Sequence, residues 1–214
     1  MTKSQDSLNK QFGLSELYEA DLDPNPIEQF RIWFGQALRA EFIHPNAFTL
    51  ATSTKDGKPS ARQLLLKDFD EEGFVFYSNS ESKKGSDLAD NPFAALCFWW
   101  DKLERQVRVE GKVQIVSQQE ADEYFHSRPI GSQLGAWASN QSTVIADREL
   151  LDNRYREFEN KFEDKIIPRP PYWNGYRLVP VAIEFWQGRQ NRLHDRLRYK
   201  LQKDGSWTIE RLAP

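Results

Sequence analysis

The sequence of 214 residues is poor in the residues that build disulfides and metal centres. It has a single cysteine, Cys97, so no disulfide can form within the chain. Its three histidines, His44, His126 and His194, are scattered without the spacing of zinc ligands, and we expect no bound metal. Cys97 lies in the apolar run 93–100, which predicts a buried structural thiol rather than a nucleophile.

Long apolar runs and a large excess of one charge are also missing. No segment is long enough for a transmembrane helix, and the polar N-terminus MTKSQDSLNK lacks the apolar core of a signal peptide, so we expect a cytoplasmic protein without a membrane role. The net charge of −3 disfavours nucleic acid as the main partner. With 39% apolar and 13% aromatic residues, the chain can build a packed core.

The motifs of several common nucleotide and hydrolase sites do not occur. The sequence contains no Gly-x-Ser-x-Gly elbow, no Rossmann glycine pattern and no Walker loop. Any redox or transfer chemistry therefore uses a cofactor that is held in a different way.

What is present is the pattern of antiparallel strands with a few helices. Residues 1–24 are polar and predict a flexible arm or lid, and residues 25–214 predict one domain. A helix is expected from Pro26, with its buried face formed by Ile27, Phe30, Phe34, Ala37 and Leu38. Further helices are expected after Ser82, after Ser117 and over residues 147–161.

Alternating apolar patterns predict eight strands, at 47–54, 60–67, 74–78, 93–100, 106–116, 181–186, 197–201 and 207–212. Asp56-Gly57 and Asp204-Gly205 are typical of tight hairpin turns, and Gly111 predicts a bulge in the fifth strand. The expected fold class is mainly β (α+β), a small antiparallel barrel with flanking helices.

Two cationic motifs follow predicted strands or lie on them. In the run 62–67, Arg62 and Lys67 suit a phosphate, although strand alternation puts them on opposite faces and a buried strand with charged ends is the alternative. In Ser82-Lys83-Lys84, two lysines lie at the start of a predicted helix, where the positive end of the helix dipole repels their charges unless an anion binds there. A solvated surface turn is the alternative.

Two later segments also gather polar groups. Tyr124, Arg128 and Ser132 are spaced at i, i+4 and i+8, but Pro129 interrupts the helix, so we expect two helices that meet at a corner around an anion. The alternative is that Arg128 caps a helix end. Segment 184–196 has three arginines and one histidine within eight residues, beside a tryptophan, which favours a ligand site over a plain surface loop.

These segments, in this order, resemble the pyridoxamine 5′-phosphate oxidases over roughly residues 25–214. The most specific parts are Arg-Leu-His-Asp-Arg at 192–196 and Phe-His-Ser-Arg-Pro at 125–129. The resemblance implies a split β-barrel and a homodimer with flavin mononucleotide (FMN) at the subunit interface. It also implies oxidation of pyridoxine or pyridoxamine 5′-phosphate to pyridoxal 5′-phosphate by dioxygen in vitamin B6 metabolism, with release of hydrogen peroxide and, from the amine, ammonia.

The resemblance also implies the site residues. The flavin contacts expected from one subunit are Arg62, Gln63, Leu64, Leu65, Leu66, Lys67, Tyr77, Ser78, Lys83, Lys84 and Gln106, and those from the other are Gln141, Ser142, Trp186 and Arg196. The substrate contacts are Lys67, Tyr124, Arg128, Ser132, Arg192, Leu193 and His194, of which Arg192 and His194 are the expected catalytic residues.

Two other functions remain compatible with the same residues. One is another split-barrel flavoprotein, such as a flavin reductase-like enzyme, which needs the flavin pocket but neither Arg128 nor the 192–194 segment. The other is a module that binds pyridoxal phosphate without turnover. Peroxide release on addition of pyridoxine 5′-phosphate separates both from the oxidase.

Overall fold

The computed structural model describes residues 15–214, in which nine antiparallel strands form one sheet with five α-helices around it. The strands are β1 (Ala47–Ser53), β2 (Pro59–Leu65), β3 (Asp68–Asp70), β4 (Gly73–Asn79), β5 (Phe93–Trp100), β6 (Arg105–Ile115), β7 (Trp173–Gln187), β8 (Asp195–Leu201) and β9 (Trp207–Arg211). The helices are α1 (Pro26–Arg39), α2 (Lys83–Asp90), α3 (Gln118–Ser127), α4 (Ile130–Ala138) and α5 (Arg148–Lys161).

The long strand β7 organises the sheet. The strand order is β2-β1-β5-β6-β7-β4-β3, and β8 pairs with both β7 and β9. The first half of β7 pairs with β4 and its second half with β8, so the sheet curls into a half-barrel. The predicted strands are confirmed, whereas β3 and the first half of β7 were not predicted. Asn174, Gly175 and Pro180 are poor strand formers, and β7 stays extended there because β4 and β6 pair with it.

The predicted bulge at Gly111 is confirmed. The register of β6 against β7 shifts between Glu110 and Gly111. A Cβ atom on Gly111 would lie 2.0 Å from the carbonyl oxygen of Val179, so only glycine fits this close approach of the two backbones.

The inner face of the sheet packs against α1. The Phe30 ring is fully buried and meets Phe74 edge-on, with ring centroids 4.9 Å apart, while Trp33 meets Phe185 edge-on at 5.1 Å. The prediction that Leu38 is buried is wrong, since 55% of this side chain is exposed. The buried stripe runs through Trp33 instead, and Leu38 lies about 100° around the helix from the buried position 37.

The outer face of β5–β8 carries a different set of side chains. Trp99, Gln106, Trp186 and Arg196 are paired residue to residue across four neighbouring strands and form one row. Cys97 also belongs to this face and is only partly buried, so the prediction of a buried thiol is wrong. Desolvation still raises the pKa of the Cys97 thiol, which does not favour a nucleophile.

The end of the expected arm is anchored to the domain. Leu17 is buried in the main core, and the Arg211 guanidinium on β9 donates to the carbonyl oxygen of Leu17 at 2.9 Å and to the Glu19 carboxylate at 2.8 Å. The part of the arm at 1–14 lies outside the described residues. From residue 15 onward, no helix combines the length and the apolar character needed to cross a lipid bilayer.

Candidate active site

A cavity of about 350 Å³ lies where the end of β4 meets the corner between α3 and α4. The predicted corner is confirmed, because α3 ends before Pro129 and α4 begins immediately after it. Six of the predicted site residues line this cavity, namely Leu64, Tyr77, Ser78, Arg128, Ser132 and Gln141. The cavity thus combines residues that were expected to contact the flavin with residues that were expected to contact the substrate.

Arg128 is the cation of this cavity. Its Nη1 atom is buried and has no hydrogen-bond partner among residues 15–214. The guanidinium lies over the ring of Trp173 at 4.9 Å and near that of Phe125 at 5.7 Å, and burial lowers the pKa of the Arg128 side chain. An unpaired buried donor is costly, so this geometry favours an anion in the cavity.

Aromatic stacking fixes the wall behind Arg128. The rings of Tyr77 and Tyr124 are parallel, with centroids 4.0 Å apart, and Trp173 continues the stack at 5.1 Å from Tyr77. Desolvation raises the pKa of Tyr77, so its hydroxyl stays protonated and can donate a hydrogen bond. Tyr124 lies behind Tyr77 rather than among the lining residues.

Lys84 is a second cation near the same cavity. Its Nζ atom lies 2.7 Å from Gln141 Oε1 and 3.1 Å from Ser82 Oγ, and Ser78 Oγ lies 3.3 Å from the same Gln141 oxygen. No carboxylate within residues 15–214 pairs with Lys84. Burial, with a smaller contribution from the charge of Arg62, lowers the pKa of Lys84 to about 8.

The two predicted lysines of α2 therefore differ. Ser82 caps this helix, Lys83 is exposed and pairs with Asp87 one turn further on, and Lys84 points inward. Arg62 lies close to this helix start, 4.0 Å from Asp87, and donates to Thr52 Oγ1 at 2.8 Å. Burial lowers the pKa of Arg62 as well.

The other side chains of the run 62–67 do not share one surface. Gln63 and Leu65 are exposed on the outer face of β2, Leu66 is buried in the core, and Lys67 is exposed beyond the end of the strand. This division follows from strand alternation, which places Arg62, Leu64 and Leu66 on the inner side and Gln63, Leu65 and Lys67 on the outer side. Of the six side chains, only Leu64 lines the cavity.

A second group of predicted residues lies at the far end of β7. Trp186 stands between Gln106 and Arg196 in the outer row and contacts Trp99, with ring centroids 5.8 Å apart. Arg196 Nε donates to the buried Glu184 carboxylate at 2.9 Å, and this hydrogen bond raises the pKa of Arg196.

The turn that follows β7 carries the expected catalytic residues. Asn191 and Arg192 both have left-handed backbones, with φ of 58° and 62°, and Leu193 is exposed. The His194 ring lies 4.5 Å from Trp186, and its Nδ1 atom accepts a hydrogen bond from the backbone N–H of Arg189 at 3.0 Å. Desolvation, followed by the charge of Arg192, lowers the pKa of His194, so the ring is neutral at neutral pH.

The two glutamines group differently from the expected division between subunits. Gln106, expected beside Lys84, lies in the outer row with Trp186. Gln141, expected with Trp186, contacts Lys84 and Ser78 of its own chain. Ser142, the next residue, is exposed and has a left-handed backbone with φ of 73°.

Sequence reasoning missed Trp173, which lines the cavity and supports both Tyr77 and Arg128. The signal available was a lone aromatic pair after the Pro-Arg-Pro-Pro segment at 168–171, which gives no indication of a ligand site. Ser139 also lines the cavity and was not singled out.

Comparison with known proteins agrees with this geometry. The curled antiparallel sheet and its flanking helices define a protein of the split-barrel class. PhzG from Burkholderia lata, solved in complex with tetrahydrophenazine-1-carboxylic acid, superposes with a TM-score of 0.87 at 31% identity and covers 94% of this chain and all of its own. An FMN-binding protein from Nostoc punctiforme shares the fold with a TM-score of 0.70 at 17% identity, over 90% of this chain and all of its own.

The family is shown by sequence. Residues 34–162 match the pyridoxamine 5′-phosphate oxidase model, and residues 173–214 match the pyridoxine 5′-phosphate oxidase C-terminal dimerisation region. Pyridoxine/pyridoxamine 5′-phosphate oxidase of Gloeothece citriformis is 59% identical over the full length of both chains. A Ralstonia nicotianae protein of the same name, numbered 1, is 59% identical over 91% of this chain and 92% of its own. The chain therefore belongs to the pyridoxamine 5′-phosphate oxidase family.

Proposed function

We propose that the protein oxidises pyridoxine 5′-phosphate and pyridoxamine 5′-phosphate to pyridoxal 5′-phosphate, with FMN as cofactor and dioxygen as the final acceptor. The alcohol yields aldehyde and hydrogen peroxide, and the amine, with one water, yields aldehyde, ammonia and hydrogen peroxide. The observation that carries the proposal is the cavity in which Arg128 presents a buried, unpaired donor. A phosphate oxygen satisfies such a donor, and the printed names of the relatives supply a phosphorylated substrate.

The residues present fit FMN. Lys84 is a buried ammonium without a carboxylate partner in the described chain, and it lies near Arg62 at the capped start of α2, so the two can hold the flavin phosphate. Tyr77, Ser78 and Gln141 line the adjoining cavity with polar groups. Bound FMN supplies the redox chemistry, which is acceptance of a hydride from substrate C4′ and reoxidation by dioxygen.

The side chains of the chain bind and orient the substrate. Arg128 and Ser132 hold its phosphate in the cavity, and Tyr124 supports this site through its stack on Tyr77. Neutral His194 and Arg192 orient the pyridine ring, and the proton lost in the oxidation comes from the hydroxyl or amino group on C4′. Positioning of this kind accounts for large rate effects, since a misplacement of about 1 Å can cost about 100-fold in rate.

We also propose that two copies of the chain build each site. The cavity lies at the start of β7 near Trp173, and the row with Trp186 and the turn with His194 lie at its end. At about 3.3 Å per residue, the strand between Trp173 and Trp186 is about 43 Å long. One small ligand does not reach from end to end, so a homodimer that joins the start of one β7 to the end of the other brings the two groups together.

Peroxide release tests the proposed reaction. Purified protein is reconstituted with FMN and mixed with pyridoxine 5′-phosphate, and hydrogen peroxide and the aldehyde absorbance are followed. We expect equal amounts of both products, and we expect much slower turnover of unphosphorylated pyridoxine because Arg128 then lacks its partner. A flavin-loaded protein that gives no peroxide but oxidises a reduced nicotinamide would indicate the flavin reductase-like alternative. Binding of pyridoxal 5′-phosphate without turnover would indicate the carrier module.

A further inference from the structure

The N-terminal segment 15–22 touches the turn that carries His194. The Arg189 guanidinium donates to Glu16 Oε1 at 2.7 Å and to the carbonyl oxygen of Ser15 at 3.3 Å. The backbone N–H of the same arginine donates to Nδ1 of His194 at 3.0 Å. Arg189 therefore contacts the N-terminal segment with its side chain and the histidine ring with its backbone.

Asp195, at the other end of the turn, is also hydrogen-bonded to the N-terminal segment. The backbone N–H of Leu17 donates to Asp195 Oδ2 at 3.1 Å, and Arg211 Nη1 donates to the other oxygen of Asp195 at 2.8 Å. Asp195 directly follows His194 in the chain. Both residues that flank the segment 190–194, Arg189 and Asp195, are thus attached to the N-terminal segment.

Between these attachment points the backbone is strained. Asn191 and Arg192 have positive φ angles, a conformation that asparagine tolerates but that arginine seldom adopts. The segment also contacts the sheet face, where the Trp186 ring lies 4.5 Å from that of His194, and the charges of Glu104 and of Arg192 within the segment act on the histidine. The ion pair of Arg189 with Glu16 is a separate contact that also holds this segment in place.

We propose that Arg189 is a positioning residue for His194 and that Glu16, by pairing with Arg189, holds the histidine ring in the orientation needed for oxidation. The proposal rests on the proposed function, since it assigns His194 a place over the substrate ring. A backbone N–H that donates to Nδ1 leaves the ring proton of neutral His194 on Nε2. The ion pair thereby selects both the orientation and the tautomer of the ring.

The test compares Glu16→Gln with a matched control, Glu19→Gln. Both glutamates belong to the same segment, each pairs with one arginine, and their side chains are 52% and 51% exposed. Only the partner of Glu16 also contacts His194. We expect Glu16→Gln to lower kcat about 5-fold with unchanged KM and flavin affinity, and Glu19→Gln to leave kcat unchanged. Equal behaviour of the two variants in kcat would overturn the proposal.

Two arginine variants separate positioning from folding. Arg189→Lys keeps a cation for Glu16 and should retain most of the turnover, whereas Arg189→Met should lose at least as much as Glu16→Gln. Exposed ion pairs contribute little to stability, so all four variants should unfold at similar denaturant concentrations. If Arg189→Met turns over like the parent protein, Arg189 has no positioning role.

A readout that does not need activity keeps this proposal separate from the proposed function. The chain has three histidines, so the ring nitrogens of His194 can be assigned in ¹⁵N-labelled protein by comparison with a His194→Asn variant. We expect the parent and Glu19→Gln to show the Nε2–H tautomer, and Glu16→Gln to show an increased share of the Nδ1–H tautomer. An unchanged tautomer in Glu16→Gln would refute the proposal even in a protein without oxidase activity, and absent oxidation with the expected tautomers would refute only the proposed function.

Discussion

The cavity at the start of β7 and the turn after its end are built in opposite ways. At the cavity, the Nη1 atom of Arg128 and the nearby Lys84 side chain are buried, and aromatic rings contact the first and an amide oxygen the second within one chain. At the turn, Arg192 and Leu193 are exposed on a strained backbone, and the ring of His194 rests on Trp186 at the edge of a partly exposed sheet face. One chain alone thus forms the proposed anion site, whereas the residues proposed to orient the substrate ring lie on an exposed turn.

Substitution of Arg128 tests the role of the cavity and should have the largest effect of the changes considered. Arg128→Met removes the buried donor, and we expect kcat/KM for pyridoxine 5′-phosphate to fall about 100- to 1000-fold, mostly through KM. Turnover of unphosphorylated pyridoxine should hardly change. Arg148→Met, at an exposed arginine of α5, is the control and should behave like the parent protein in steady-state kinetics. Equal losses with both substrates would show that Arg128 does not bind the phosphate.

Substitution of His194 tests the turn side and should have the next largest effect. His194→Ala should lower kcat about 100-fold because the substrate ring loses its orientation, while the flavin absorbance of the purified protein stays the same. His126→Ala, at an exposed histidine of α3, serves as control. Loss of flavin from His194→Ala, or full turnover, would contradict the role given to this ring.

The pH dependence of cofactor binding sharpens the assignment of Lys84. The pKa of Lys84, lowered to about 8, means that the ammonium is present below pH 8 and is lost as the pH rises through this value. The affinity for FMN should therefore fall up to about tenfold per pH unit above pH 8, as measured by fluorescence titration. Lys84→Arg keeps its charge over this range and should remove the dependence. A steep fall that persists in Lys84→Arg would assign the titration to another group.

The smallest effect is expected at Cys97, which lies on the outer sheet face. The pKa of its thiol is raised by burial, so it is neither a nucleophile nor a charge in either half of the site. Cys97→Ala should leave kcat, KM and flavin affinity within about twofold of the parent values, since no step uses the thiol. Strong loss of turnover in this variant would show that the outer face has a chemical role that is missing from the present mechanism.

The sequence predicts the strands, the hairpins and the helix corner because these follow from local rules of alternation, turn chemistry and proline. It does not predict that Leu38 of α1 is exposed, since the exposure of this side chain depends on how the helix packs on the sheet. Nor does it predict the first half of β7, where Gly175 and Pro180 contradict the local preference and the neighbouring strands decide.

The same difference between local rules and tertiary contacts applies to the candidate site. The cationic motifs can be recognised in the sequence, because Arg62 lies on a predicted strand, Lys84 at a predicted helix start, and Arg128 directly before a proline that ends a helix. Trp173, which contacts Arg128, cannot be identified from the sequence, because its role comes from stacking with residues that are distant in the chain. The grouping of Gln141 with Lys84 likewise depends on tertiary contacts alone.

The most direct test of the account is complementation between two inactive variants. Arg128→Met chains and His194→Ala chains carry different affinity tags, are coexpressed, and the mixed dimer is purified through both tags. If each site combines Arg128 of one chain with His194 of the other, one site of the mixed dimer is intact and its activity is about half that of the parent dimer. If both residues of a site come from the same chain, each site keeps one defect, and the mixed dimer stays as inactive as the two variants alone.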